Sequence, residues 1–97
     1  MRLTKNEITS IHNSAIKYFG ENSKVFLFGS RIDDNKKGGD IDLYLETDLK
    51  DGVFDKKIEM LTYLNLRLGE QKIDLVINNF QKNKSIFQAA QPDGILL

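Results

Sequence analysis

Two aspartates one residue apart, Asp40 and Asp42, and a third, Asp74, inside an apolar run are the side chains of this sequence best suited to chemistry. Carboxylates are hard oxygen donors, and a group of them suits Mg²⁺, or Mn²⁺ in its place, together with the phosphates of a substrate. Two such ions, about 3.5–4 Å apart, clamp an in-line displacement at phosphorus. Ahead of the aspartates stands Gly29-Ser30, which ends the apolar run 24–28. Glycine lets backbone N–H groups approach a phosphate closely, and serine adds a hydroxyl donor. Arg31 follows at once and offers a positive charge to a triphosphate. The polar loop 31–39 ends in Gly38-Gly39, where the missing Cβ widens the choice of backbone conformation. Read together, the set implies metal-dependent nucleotidyl transfer. Asp40, Asp42 and Asp74 are the expected catalytic and metal-binding residues, and Gly29, Ser30, Arg31 and Gly39 the expected nucleotide-binding ones.

Each part alone is ordinary. At an Asp frequency of roughly 5%, an Asp-x-Asp arises by chance in about one chain in four of this length, and Gly-Ser is a common turn. Arg31 on its own reads as a surface arginine, and Lys36 and Lys37 read as solvated loop charges. The weight lies in the order: apolar strand, Gly-Ser, a loop, Asp-x-Asp on a strand, helix, then an Asp within KIDLVI. A charge inside such a strand needs a partner. The lone His12 reads as a solvated or partly buried helix residue, and Tyr44 and Glu46 as packing and rim residues on the aspartates' face.

The elements that must position these residues follow from periodicity. Thr4-Lys5-Asn6-Glu7 is a capping box, and apolar residues at helical spacing behind it predict a helix over 5–19 that Gly20 stops. Strands are predicted over 24–28, 40–46 and 72–77, a second helix over 53–68 with Gly69 as its C-cap, and a short third helix over 83–90 capped by Asn83 or Ser85. Pro92 to Gly94 reads as a turn, and Ile95-Leu96-Leu97 as an apolar tail. A strand puts residues i and i+2 on one face, so Asp40 and Asp42 point away from Ile41, Leu43 and Leu45. By the same alternation Asp74 leaves Ile73, Leu75 and Ile77 to the helical layer. A strand–helix–strand unit of this length is normally parallel and right-handed. It brings all three aspartates to one sheet end, and an antiparallel first strand brings Gly29-Ser30 there too. The expected fold is α+β: a small mixed sheet of about three strands, helices on one face, in a single domain spanning 1–97.

Composition limits what such a site serves. The 97 residues carry 14 basic and 14 acidic side chains, a formal net charge of zero. That speaks against a protein that coats nucleic acid, which needs a basic surface. Cysteine is absent, so a disulfide framework and thiolate metal sites are excluded. No apolar run reads as a leader or a membrane span, and the expected compartment is the cytoplasm. With no residues left over to grip a small acceptor, the acceptor is expected to be another protein.

In Gly29-Ser30, the spacer, Asp40-x-Asp42 and the later Asp74, the sequence resembles a minimal nucleotidyltransferase of the DNA polymerase beta superfamily. The resemblance spans nearly the whole chain in element order. It implies the nucleotidyltransferase fold, two Mg²⁺ ions, and transfer of a nucleoside monophosphate from a triphosphate, ATP foremost, to a hydroxyl. Members of this minimal type often act as antitoxins beside a small helical partner of the HEPN type, which implies AMP transfer to a tyrosine of that partner. The residue before Asp40 is often serine in the family and is Gly39 here, which removes a hydroxyl but no metal ligand. The competing reading is a non-catalytic module that neutralises its partner by occlusion.

Overall fold

The structure, a computed structural model, describes residues 3–29, 40–69, 71–80 and 94–97. Its elements run α1 (Lys5–Phe19), β1 (Lys24–Phe28), β2 (Ile41–Glu46), α2 (Val53–Leu68), β3 (Ile73–Asn78) and β4 (Ile95–Leu96). This is an α+β fold with two helices and a mixed sheet among the described residues. The expected third helix over 83–90 lies outside them.

Local chemistry sets the helix ends. Thr4 Oγ1 accepts from the Glu7 N–H at 3.0 Å, and Glu7 Oε1 accepts from the Thr4 N–H at 2.9 Å, so two otherwise orphaned donors at the start of α1 are satisfied reciprocally. Gly20 and Gly69 close α1 and α2, donating their N–H groups to Ile16 O and Asn65 O. No helix among the described residues is long and apolar enough to cross a membrane.

The sheet order is β3-β2-β1-β4. β1 and β2 are antiparallel, with Phe28 opposite Asp42, and β2 and β3 are parallel, with Asp42 opposite Asp74. Among the described residues the sheet has four strands where about three are expected, because Ile95 and Leu96 pair antiparallel with Leu27 and Phe26. Leu97 N–H extends this edge by donating to Val25 O at 2.8 Å. Two residues are too few to show alternation in a sequence, which is why the segment reads there only as an apolar tail.

One face of the sheet makes the core. Val25, Leu27, Ile41, Leu43, Leu45 and Leu75 are buried against Ile11, Ala15 and Phe19 of α1 and Met60 and Leu64 of α2. Both helices therefore lie on that face. Burying a side chain such as Leu64 stabilises the fold by about 1.5–3 kcal/mol. Where α1 ends, Thr47 ties it to the sheet: its hydroxyl donates to Phe19 O at 3.0 Å and accepts from the Leu49 N–H at 3.1 Å. This core orients the opposite face, which carries the aspartates.

Candidate active site

The face of β2 and β3 away from the helices is a ladder of paired side chains. Going inward from the strand starts, Asp40 lies beside Lys72, Asp42 beside Asp74, Tyr44 beside Val76, and Glu46 beside Asn78. Strands in a sheet are about 4.8 Å apart, so side chains on one rung are within reach of each other. The further rungs are structural. Tyr44 is buried, its hydroxyl donates to Glu46 Oε2 at 3.0 Å and accepts from Asn78 Nδ2 at 3.1 Å, and Phe26 and Phe28 pack on its ring. That layer forms the floor behind the carboxylates.

The Asp42–Asp74 rung sets like charges side by side. Asp42 has its pKa raised above 3.8, first by burial, then by the negative charge of Asp74, by the hydrogen bond it donates to Asp74 when protonated, and by the charge of Asp40. Lys72 acts in the opposite direction. The same crowding of negative charge is what a bound cation would relieve.

Asp40 is differently placed. Its Oδ2 lies 3.5 Å from Lys72 Nζ, the lysine being mostly in solvent and Asp40 half-buried. Among the described residues, no group of three His, Cys, Asp or Glu side chains is placed to hold one metal ion. The structure therefore brings Asp42 and Asp74 together and leaves Asp40 on the adjacent rung, tied to Lys72. Lys72 has no role in the sequence reading. Its place two residues before Asp74 was the available signal, since alternation puts both on one face.

Gly29 borders the pair. It follows Phe28, the β1 partner of Asp42, and has φ +79°, in the left-handed region. A Cβ on Gly29 would overlap Asp42 Oδ2 and stand 3.1 Å from Asp42 Cγ. The sequence suggests a glycine that admits a phosphate; the structure adds that this glycine makes room for the Asp42 carboxylate. Ser30, Arg31 and Gly39 lie outside the described residues.

No family model matches the sequence, and no curated protein does. The functional reading rests on the residues and their geometry. Oxygen donors alone, two of them adjacent and repelling, suit a hard divalent cation at Asp42 and Asp74. Asp40 would join them on leaving Lys72, a surface pair that contributes little to stability.

Proposed function

We propose that this chain is a Mg²⁺-dependent nucleotidyltransferase of the minimal DNA polymerase beta type. It moves a nucleoside monophosphate, AMP from ATP, to a hydroxyl of a partner protein. The proposed partner is a small helical protein of the HEPN type, for which this chain acts as antitoxin in the cytoplasm. The observation that carries the reading is the Asp42–Asp74 rung, set on parallel strands next to a left-handed glycine.

Asp42 and Asp74 would hold the cation, with Asp40 recruited from Lys72. Bound Mg²⁺, one or two ions, with Mn²⁺ as substitute, supplies positive charge against the phosphates. The chain's own residues do the rest. Gly29 keeps the Asp42 carboxylate close to Asp74 by offering no side chain in its way. Asp74, exposed on β3, would accept the proton of an incoming hydroxyl as the new oxygen–phosphorus bond forms and pyrophosphate leaves. Ser30, Arg31 and Gly39 belong to the triphosphate side by the resemblance. Nothing in the described fold encloses an acceptor, so a partner is needed to position its hydroxyl about 3–3.5 Å from phosphorus.

The test is incubation with ATP, Mg²⁺ and a helical partner protein, read by intact mass. We expect an adenylyl group on the partner, absent with Asp42→Asn or Asp74→Asn. A partner that binds but gains no mass supports the occluding module instead. The pairing of Asp40 with Lys72 favours that second reading.

A further inference from the structure

The outer face of α2 carries an apolar stripe. Phe54, Ile58 and Leu66 are 71%, 47% and 82% exposed, on a helix whose opposite face buries Met60 and Leu64. The three occupy one i, i+4 row, whose remaining member is Thr62. Thr62 Oγ1 donates to Ile58 O at 2.9 Å, so its hydroxyl is satisfied within the helix and its methyl adds to the apolar row. The row is symmetric about the helix midpoint: Phe54 and Leu66 stand at its ends, Ile58 and Thr62 at its centre. The neighbouring row, Asp55, Glu59, Tyr63, Arg67, runs from acid to base. At its basic end Arg67 and Lys17 lie over the Tyr63 ring, 4.8 and 5.5 Å from its centroid.

We infer that α2 pairs with α2 of a second copy of this chain, antiparallel across a two-fold axis. Two such copies set Phe54 of one beside Leu66 of the other, with Ile58 and Thr62 at the centre. An apolar stripe confined to i±4 rows is the geometry that interdigitates when helices cross at about 50°. The same reversal brings the acidic start of one helix to the basic end of the other. Lys56, 3.3 Å from Glu59, neutralises that acid within its own helix, so the cross-copy attraction is Asp55 toward Arg67 and Lys17. A net charge of zero leaves no general repulsion between copies. A nucleic acid or membrane surface would call for a basic row, and this one is mixed.

An α2 of 16 residues is about 24 Å long. Burying one face on each copy covers roughly 1,000 Å² in total, the lower bound for a specific interface. A contact of that size points to a reversible dimer whose population depends on protein concentration. The stripe is separate from the carboxylates, so the inference stands or falls apart from the proposed activity.

Sedimentation velocity of the full chain, from low micromolar to several hundred micromolar, tests it. The expected weight-average mass rises toward twice the monomer value. Leu66→Glu, at an exposed position, weakens association by about tenfold or more, as does Asp55→Arg, and adding Arg67→Asp to Asp55→Arg recovers most of the loss. Melting curves at low concentration confirm that each variant folds. A chain that stays monomeric throughout overturns the inference, even if the stripe binds another protein. So does a dimer that Leu66→Glu leaves unchanged.

Discussion

Gly29→Ala isolates the contact on which the carboxylate geometry depends. Two effects add. Alanine at φ +79° costs about 1–2 kcal/mol relative to a right-handed or extended conformation. The new Cβ would also overlap Asp42 Oδ2, with Cγ 3.1 Å away, so the Asp42 side chain must turn out of its position. An off-rotamer or displaced side chain costs about 0.5–1.5 kcal/mol. Turning away from Asp74 relieves some repulsion, which trims the sum to about 2 kcal/mol. The assay is urea unfolding in chelator, in the wild-type and Asp42→Ala backgrounds. With Asp42→Ala the overlap is gone, the remaining Cβ being 3.5 Å from the new one, and only the backbone cost of about 1–2 kcal/mol persists. The cycle should therefore show a coupling of about 0.5–1 kcal/mol between the two positions. Equal costs in both backgrounds would refute the contact, and no cost in either would refute the left-handed turn.

Asp42→Asn should change how stability depends on pH in metal-free protein. The folded chain holds the Asp42 proton more tightly than the unfolded chain, so this contribution is full below about pH 3.8 and is lost as pH rises through the raised folded value. Urea midpoints in chelator should therefore favour Asp42→Asn near neutrality and converge with wild type below that range, while Mg²⁺ should stabilise wild type alone; a constant offset at all pH values would contradict the carboxylate repulsion. Thr47→Val keeps the shape of a residue only 2% exposed but leaves Phe19 O and the Leu49 N–H without their hydroxyl partner. Unfolding should show a loss of about 1–3 kcal/mol, and a neutral result would mean that water takes over both bonds.

Most of the frame is legible in the sequence because its elements are locally consistent. α1, β1 and α2 match the reading over 5–19, 24–28 and 53–68, with the Thr4–Glu7 box and the Gly20 and Gly69 stops in place. β2 and β3 differ from it by a residue at their ends, and their alternation separates Asp42 and Asp74 from the core as expected. What the sequence did not reveal depends on contacts across strands. β4 is defined only by its pairing with β1. The Lys72–Asp40 pair depends on strand register, and so does the fit of Gly29 against Asp42. The hydrogen bond from Asn78 to Tyr44 joins two strands whose register periodicity alone does not give.

The parallel pairing of β2 with β3 also fixes when the carboxylates meet. A hairpin can bring antiparallel neighbours together locally, but Asp42 and Asp74 are separated by the whole of α2 and lie on strands running the same way. They become neighbours only once that helix has crossed the sheet and closed the intervening loop, a non-local contact of the slow kind. A growing chain that ends after α2 carries Asp40 and Asp42 without Asp74, and so lacks the repulsion across the Asp42–Asp74 rung. The electrostatic burden of the site thus falls on the step that locks β3 into place. A cation that neutralised it would act on that step, leaving the formation of α1 and of the β1–β2 pair as it was.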